Sequence, residues 1–334
     1  MEACFDSYDK DGDGQLSFHE FCMICQALFR GDKSERYAIE EQKLKEIFEI
    51  FDQNGDEFID RKEFAYCWTH WIKVLVGAVS ALLIVDVQND FISGSFNMMN
   101  CPAKQDAREI LDPINYILDS VEFRDVIYTM EWHPSDHISF IDNLPLRKID
   151  SSCLINAASA KPFDTVIFTG PPLIRQTLLP RHCVQNTWGA ELHQELKFIE
   201  NGIKILKGVL PEIDCYSAFF DSDKLRDTGL DAQLRQRGVT DLYICGVPYD
   251  YNVKQTAIDA LNLGYRTILI EDCLRGMDLR SIQDTRDYIL KQNGVIVDSS
   301  NVKAMVEGRS RRPELAYKLA LELRRKLYFN VESG

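Results

Sequence analysis

Carboxylate and imidazole side chains stand in two short segments at spacings typical of a metal site. In the segment TMEWHPSDHISF, Glu131 and His133 flank one residue, so an extended backbone points both to the same side, and His137 follows four residues later. The segment PRHCVQNTWGAELH adds His182. Converging imidazoles and a carboxylate suit a divalent transition metal with open positions for water. We therefore expect a metal centre, with zinc favoured over iron or manganese.

A polar turn between a strand and a helix indicates a second kind of chemistry. Residues 246–252 read GVPYDYN and lie between an apolar, β-branched segment and a helical one. Backbone N–H groups at such a turn form a natural oxyanion pocket, which the dipole of the following helix strengthens. We expect Val247, Pro248 and Tyr251 to line a substrate pocket there, at a turn that admits a cis peptide bond before Pro248.

The most acidic part of the chain contains a complete calcium-loop pattern. Residues 9–20 read DKDGDGQLSFHE, with carboxylates at loop positions 1, 3, 5 and 12 and glycine at position 6, where the chain must turn sharply. Leu16, at position 8, is the apolar residue that pairs two such loops. The expected ligands are Asp9, Asp11, Asp13, the backbone carbonyl of Gln15, and Glu20.

A second loop repeats the pattern over residues 52–63, DQNGDEFIDRKE, with Glu57 at position 6. A residue with a Cβ atom is strained in a left-handed turn, so we expect this loop to bind calcium more weakly or to act only as a structural mate. Its expected ligands are Asp52, Asn54, Asp56, the backbone carbonyl of Phe58, and Glu63. With helical periodicity on its flanks, the pair resembles a small all-α EF-hand domain over residues 1–72.

From residue 81 the pattern changes to apolar, β-branched runs that alternate with helical stretches. This alternation predicts an α/β domain over residues 81–334, joined by a linker at residues 73–80: a doubly wound parallel sheet with helices on both faces. Ligands of such sheets bind at the carboxyl ends of the strands, where Asp86 and the polar clusters fall. The predicted strands are 81–86, 125–129, 164–168, 203–206, 241–245, 266–271 and 294–298. The predicted helices are 104–121, 228–237, 253–263, 280–292 and 313–328.

Charge and hydropathy exclude two classes of partner. The chain of 334 residues has 52 acidic and 38 basic side chains and a net charge of −14, so nucleic acid, which binds through basic residues, is not expected. Residues 1–73 hold 17 acidic and 9 basic side chains, which places more than half of this charge in the calcium-binding segment. The longest apolar run, at 12 residues, is too short to span a membrane.

The cysteines and the first residues indicate a reducing compartment. The ten cysteines are scattered without a dense framework, which favours reduced thiols. The start MEACFDSYDK has no basic segment followed by an apolar core, so no signal peptide is expected. We therefore expect a cytoplasmic protein, with the nucleus as the other compartment that fits.

Several motifs of the α/β domain resemble, in type and order, those of the nicotinamidases of the isochorismatase-like hydrolase fold. They cover about residues 80–300 and read DVQNDF, EWHPSDHISF, PRHCVQNTWGAELH, LKG and GVPYDYNVKQTAIDA. That family hydrolyses nicotinamide to nicotinic acid and ammonia, so the resemblance implies a small aromatic amide as the ligand. EF-hands in front of such a domain resemble an animal form of the family.

The resemblance also implies roles for individual residues. Asp86 corresponds to the general base and Lys207 to the residue that poises the nucleophile. Phe91 corresponds to an aromatic wall of the nicotinamide pocket, and His137 would support the water molecules on the metal. The metal ligands of the family correspond to Glu131, His133 and His182.

The nucleophile of the family does not carry over, because its cysteine corresponds to Asn252. A thiolate attacks the amide carbon, whereas the nitrogen lone pair of an asparagine amide is delocalised. Leu179 also replaces a tryptophan that stacks on the pyridine ring. We therefore expect the deamidase activity to be lost or strongly weakened. The alternatives are an active nicotinamidase or related small-amide hydrolase, and a calcium-dependent binding scaffold; a homo-oligomer and a calcium-dependent protein partner also stay open.

Overall fold

The computed structural model describes the backbone of residues 1–33 and 35–332 and, of these, the side chains up to residue 327. The N-terminal part consists of two helix–loop–helix units. Their helices are α1 (Glu2–Tyr8), α2 (Phe18–Leu28), α3 (Glu41–Phe51) and α4 (Arg61–Cys67). The two loops pair through the short antiparallel strands β1 (Leu16–Ser17) and β2 (Phe58–Ile59), with Leu16 opposite Ile59. This arrangement confirms the predicted EF-hand domain.

The last residue of each loop also fixes the start of the helix that follows. The hydroxyl of Ser17 caps α2 by accepting from the backbone N–H of Glu20, and the Glu20 carboxylate accepts in return from the backbone N–H of Ser17 at 2.9 Å. Asp60 and Glu63 form the same reciprocal pair at the start of α4. Such capping boxes satisfy N–H groups that a helix end leaves without an internal partner.

Helix α4 runs without a break into the second domain. A π-helical turn, Trp68–Ile72, joins it to α5 (Lys73–Val76), and β3 begins three residues after Gly77. The segment 73–80, expected to be a linker, therefore contains a helical turn and the first residue of a strand. In the part of the chain that the structure describes, no helix has both the length and the apolar character needed to cross a bilayer.

The α/β domain contains eight strands and seven helices in the described residues. The strands are β3 (Ser80–Val85), β4 (Asp125–Glu131), β5 (Thr165–Phe168), β6 (Ile174–Thr177), β7 (Ile203–Lys207), β8 (Asp241–Gly246), β9 (Arg266–Leu274) and β10 (Val295–Val297). The helices are α6 (Asn89–Ile92), α7 (Leu111–Ser120), α8 (Leu230–Gln236), α9 (Lys254–Asn262), α10 (Leu279–Lys291), α11 (Ser299–Val306) and α12 (Pro313–Glu332).

Six of these strands form one parallel sheet in the order β10-β9-β8-β3-β4-β7. The strand predicted at 164–168 is formed as β5, but it pairs antiparallel with β6 outside this sheet. Only five residues separate β5 from β6, and a parallel pair needs a crossover of about a dozen or more. A short connection therefore makes a hairpin where the sequence pattern suggested one more parallel strand.

Helices cover both faces of the sheet, as predicted. In β3, Leu82 and Ile84 point to the face covered by α7 and α11, whereas Leu83 and Val85 point to the face covered by α8, α9 and α10. All four side chains are fully buried, which explains why the strand reads as a continuous apolar run. The predicted doubly wound α/β fold is confirmed.

The strand order places a crevice between β3 and β8. From β3 the chain moves outward through β4 to β7, then returns to β8 on the other side of β3 and continues to β9 and β10. The connections that leave β3 and β8 therefore diverge to opposite sides of the sheet. In open α/β sheets this switch point, at the carboxyl ends of the strands, is where ligands bind.

Helix α12 leaves the sheet and completes the core of the EF-hand domain. Ala316, Ala320 and Leu323 are buried among the apolar side chains of α2, α3 and α4. The indole Nε1–H of Trp71, which is fully buried, donates to the carbonyl of Ala316 at 2.8 Å. The N-terminal core is thus built from both ends of the chain.

Trp71→Phe tests this junction. The variant loses one buried hydrogen bond and part of a large buried ring, so we expect the free energy of unfolding to fall by about 1–3 kcal/mol. Trp68→Phe is the matched control, because Trp68 is partly exposed and donates no side-chain hydrogen bond to a described residue. Urea unfolding monitored by circular dichroism measures both, and equal losses in the two variants would contradict this account of the junction.

Candidate active site

Four buried polar residues meet at the switch point of the sheet. Asp86 follows β3 in a left-handed conformation (φ 51°), and Glu131 and Lys207 are the last residues of β4 and β7. Asn252 lies in the π-helical turn Tyr249–Val253 that follows β8. Each of the four side chains is at most 3% exposed. Strand ends distant in sequence therefore deliver two carboxylates, one ammonium and one amide to one place.

Lys207 and Asn252 both bridge the same two carboxylates. The Nζ atom of Lys207 lies 3.0 Å from Oδ2 of Asp86 and 3.1 Å from Oε1 of Glu131. The side-chain Nδ2 of Asn252 donates to the same two oxygen atoms, at 2.7 Å each. Lys207 also donates to the carbonyl of Cys215 at 2.9 Å. Each N–H of the asparagine amide therefore has a carboxylate acceptor.

Charge pairing controls the protonation of this cluster. Burial alone would raise the pKa of Glu131, but the charges of Lys207 and His133 outweigh burial and hold that pKa well below its usual range. Burial alone would lower the pKa of Lys207, but the charges of Asp86 and Glu131 outweigh burial and raise that pKa. The pKa of Asp86 is raised because burial and the charge of Glu131 exceed the effect of Lys207. Glu131 is thus the carboxylate that stays ionised.

The second oxygen of Glu131 faces two imidazoles. Its Oε2 lies 3.0 Å from Nε2 of His133 and 2.8 Å from Nε2 of His182. The other ring nitrogen of each histidine is held by a backbone carbonyl, that of Gly208 at 2.9 Å for His133 and that of Pro180 at 2.7 Å for His182. A carbonyl acceptor at Nδ1 fixes the tautomer that leaves Nε2 free to bind a metal.

These three residues fit a divalent metal. One ligand atom from each lies within 4.8 Å of the others, and all three side chains are buried. Two imidazoles and one carboxylate are a donor set typical of zinc and of related first-row ions. The structure therefore brings together the three ligands that the sequence predicted.

His137 lies beside this group but faces other partners. Its ring stacks on that of His133 with centroids 4.0 Å apart, and its nitrogens contact Ser139 at 2.8 Å and the carbonyl of Ile213 at 3.3 Å. Burial, followed by the charge of His133, lowers the pKa of His137 to about 3. With Asp214 these two histidines form a second buried cluster of possible ligand atoms. The sequence offered no signal for Asp214, which lies in an irregular segment after β7.

A small pocket opens onto the cluster. Its volume is about 10 Å³, roughly the space of one water molecule. It is lined by Phe91, Phe96, Glu131, Leu179, His182, Tyr216, Pro248, Tyr251, Asn252 and Met277.

Three of the residues predicted to bind substrate line this pocket, and two do not. Phe91, Pro248 and Tyr251 contribute to the wall, and a cis peptide bond precedes Pro248. Val247 is packed in the apolar core, and His137 is not among the lining residues.

Three residues of the wall were missed from the sequence. Phe96, Tyr216 and Met277 stand outside every quoted motif, in segments that only the tertiary fold brings to the pocket. Leu179 does lie in the wall, as its replacement of a stacking tryptophan implied.

Two further residues position the cluster. The hydroxyl of Thr129 donates to Oδ1 of Asp86 at 2.8 Å. The amide of Gln88 donates to the carbonyl of Glu131 at 2.7 Å and accepts from its N–H at 2.8 Å, which extends the sheet beyond β3. Thr129 stands two residues before Glu131 in β4, and alternate residues of a strand point to the same side, so the sequence places Thr129 on the face of Glu131.

Three buried thiols of the α/β domain, two of which feel the charges of this cluster, are poor nucleophiles. Burial raises the pKa of Cys215 to about 12, and burial, reinforced by the charge of Glu131, raises the pKa of Cys183 well above its usual value. Burial also raises the pKa of Cys245, which lies inside β8. A thiol is nucleophilic as the thiolate, and all three are held in the neutral form.

The two EF-hand loops are folded around their first aspartate. In the first loop, Asp9 accepts from the backbone N–H of Gly12 at 2.8 Å and of Gly14 at 3.1 Å. Carboxylate oxygens of Asp9, Asp11 and Asp13 lie within 4.8 Å of one another, a spacing that suits one cation.

The second loop has the same form with one strained residue. Asp52 accepts from the N–H groups of Gly55 at 2.8 Å and Glu57 at 3.0 Å. Glu57 adopts φ 70°, as the equivalent Gly14 adopts φ 87°. The left-handed turn predicted at position 6 is therefore formed by a residue with a Cβ atom, at a cost of order 1–2 kcal/mol.

Comparisons with known proteins agree with this geometry. An isochorismatase domain matches residues 80–301 and an EF-hand domain pair matches residues 1–69. The nicotinamidase of Acinetobacter baylyi is 35% identical over 223 residues, which are 66% of this chain and 94% of that protein. The solved structure of an Acinetobacter baumanii nicotinamidase and pyrazinamidase, at 34% identity, covers 67% of this chain and 98% of its own with a TM-score of 0.57.

A eukaryotic structure gives the same result. The yeast nicotinamidase bound to the inhibitor nicotinaldehyde is 29% identical and covers 66% of this chain and 99% of its own, with a TM-score of 0.54. The fold and the site therefore define an α/β domain of the isochorismatase family, and the chain belongs to that family. Several of its relatives within the family are nicotinamidases, and an EF-hand pair precedes the family domain. The resemblance seen in the motifs is confirmed.

Lys207→Met tests the charge balance of the cluster. The variant leaves two buried carboxylates without their cation, so we expect unfolding to become easier by about 3–5 kcal/mol. Lys197→Met is the control, because Lys197 pairs with Asp119 at the surface and both side chains are at least 50% exposed, where a pair contributes at most about 1 kcal/mol. Urea titration at pH 7 gives both values; a loss in Lys207→Met as small as that in Lys197→Met would contradict the assignment.

Proposed function

We propose that this protein holds a divalent metal and a small aromatic amide but has lost the deamidase chemistry of its relatives. The observation that carries the proposal is the bridging amide of Asn252 between Asp86 and Glu131. Hydrolysis of an amide through a covalent intermediate needs a nucleophile whose proton passes to a base. Asn252 occupies the nucleophile position and gives Asp86 a hydrogen bond, but its amide nitrogen cannot attack a carbonyl carbon.

The residues that remain perform binding and charge control. Lys207 keeps Glu131 ionised, which suits a metal ligand, and the backbone carbonyls at Gly208 and Pro180 orient the two histidines. We assign zinc to Glu131, His133 and His182 on the chemistry of this donor set. When bound, such an ion acts as a Lewis acid that polarises a substrate group.

The ligand we propose is nicotinamide or an amide of similar shape. Several relatives are nicotinamidases, and nicotinaldehyde binds the yeast enzyme. The pocket offers Phe91 as one wall and Leu179 in place of a stacking partner. Since the pocket holds about one water molecule, an aromatic ring enters only when lining side chains such as Tyr251 and Met277 move. We therefore expect binding to be weak, with a dissociation constant in the millimolar range.

Ammonia release from nicotinamide tests the proposal. With zinc-loaded wild-type protein we expect turnover at least about 10³-fold below that of Asn252→Cys, because the substitution restores a thiol beside Asp86 and Lys207. Asn252→Ser is the matched control, because serine is similar in size to the introduced cysteine. Its hydroxyl attacks amides far less readily than a thiolate does.

Two results would change the conclusion. Robust turnover by the wild-type protein would show that an unusual residue performs the attack and would favour the alternative of an active hydrolase. Measurable binding of nicotinamide together with an inactive Asn252→Cys variant would show that the pocket, and not only the nucleophile, has been altered. Calorimetric titration of nicotinamide into each variant supplies the binding half of this test.

We also propose that the N-terminal loops bind calcium. The first loop has the full ligand set of Asp9, Asp11, Asp13 and Glu20 around glycine turns, whereas the second holds Glu57 in a strained conformation. The first loop would then be the tighter site. Because α12 already packs against the apolar side chains of this domain, the calcium-bound pair would stabilise a contact within the chain rather than require an outside partner.

Glu20→Gln and Glu63→Gln test the order of the two loops. Each removes a carboxylate at position 12, where calcium is bound by both oxygens. We expect Glu20→Gln to raise the dissociation constant of the tighter site at least about tenfold, and Glu63→Gln to leave that site nearly unchanged. Calorimetric calcium titration distinguishes the two. Loss of the tighter site in Glu63→Gln alone would reverse the proposed order.

The compartment we propose is the cytoplasm. All ten cysteines are free thiols, seven of them buried, which supports a reducing environment.

A further inference from the structure

A cavity lies between the EF-hand domain and the α/β domain, at the edge of the sheet opposite the cluster of Asp86 and Lys207. Its volume is about 100 Å³, several times the space that one water molecule needs. The amino ends of β8 and β9 form one side, through Asp241 and Arg266. The other sides come from the end of α2, from α5 and α11, and from the start of α12.

Three arginines line this cavity, and their charge is only partly balanced. Arg266 is 3% exposed and pairs with Asp241, and Arg312 donates to Glu314 at 3.2 Å. The side chain of Arg311 makes no hydrogen bond or ion pair with any residue of the described chain. Its backbone N–H donates to the carbonyl of Arg30.

The guanidinium groups also leave buried donors without acceptors. Within the described residues, Nη1 of Arg266, Nε of Arg311 and Nε of Arg312 are buried and have no hydrogen-bond partner. Burial, followed by the charge of Arg30, lowers the pKa of Arg311. Glu307, the remaining carboxylate of the lining, is paired with Arg309 at 2.6 Å. Positive charge at this junction therefore exceeds what the chain neutralises.

The rest of the lining is apolar. Leu28, Leu75, Met305 and Leu315 come from four different helices and enclose the space beside the arginines. A small hydrated anion such as phosphate would match the charge but would leave this surface wet. A carboxylate on a short apolar chain satisfies both parts, because a guanidinium fork binds the two carboxylate oxygens and the chain covers the apolar wall.

We propose that this junction is a binding site for a small apolar carboxylate, held by Arg311 and Arg312. The N-terminal end of α12, which begins at Pro313, adds the favourable dipole of a long helix. The ligand would touch both domains and the segment that joins them, so its binding would stabilise their contact. This site is separate from the pocket of Asn252 and does not depend on the proposed function of that pocket.

Calorimetric titration of sodium hexanoate into the full-length protein at low ionic strength tests the proposal. We expect saturable binding that is at least about tenfold weaker in Arg311→Met and in Arg312→Met, since each loses a charge-assisted hydrogen bond. Arg311→Lys keeps the charge without the fork and should lie between. Arg108→Met is the matched control: Arg108 is exposed, pairs with Asp106, and neither residue lines the cavity, so the affinity of this variant should stay within about twofold of wild type.

Two other probes separate charge from shape. Hexanamide has the same length without the charge, and inorganic phosphate has charge without the apolar chain; each should bind at least about tenfold more weakly than hexanoate. No saturation by hexanoate, equal affinity in Arg311→Met, or equal binding of either probe would overturn the proposal. Circular dichroism of each variant confirms that it is folded before titration.

Discussion

The candidate active site depends on one carboxylate that serves two groups at once. Glu131 presents one oxygen to Lys207 and Asn252 and the other to His133 and His182. The half of the site that would hold a metal and the half that corresponds to the reacting groups therefore share a single side chain. The ammonium of Lys207 is the main reason why this carboxylate stays ionised although burial alone would protonate it. A change at Lys207 or Asn252 therefore alters the carboxylate that His133 and His182 contact.

The fold supplies this arrangement through strand order rather than through local sequence. Asp86, Glu131, Lys207 and Asn252 end or follow four strands that are neighbours in the sheet but widely separated along the chain. Because the strands were recognisable as apolar β-branched runs, the sequence was sufficient to predict the fold class and to expect these residues at one edge. The motif resemblance then named three candidate metal ligands, whose ligand atoms lie within 4.8 Å of one another in the structure.

The residues that the sequence did not reveal lie in segments that carry no periodic pattern of apolar residues. Asp214, Tyr216 and Met277 reach the site from irregular segments, so no helix or strand pattern marked them. The strand at 164–168 was predicted, but its partner β6 reads IRQT, a mostly polar segment that gives no strand signal, so the hairpin was not predicted. Helix α12 was predicted as a helix, but the pattern of its apolar residues cannot show which of the two domains it packs against. It belongs to the EF-hand core, 245 residues from Trp71, and only the tertiary structure shows this.

The hydrogen-bonding capacity of Asn252 is matched by its surroundings. An asparagine amide offers two N–H donors, and Asp86 and Glu131 each accept one of them at 2.7 Å. A thiol offers one weak donor, so a cysteine at the same position would leave one of these buried oxygens to Lys207 alone. In energetic terms the asparagine suits a cluster with two carboxylates and one ammonium better than a thiol does. A residue that completes the hydrogen bonding of these buried carboxylates therefore stabilises the folded protein.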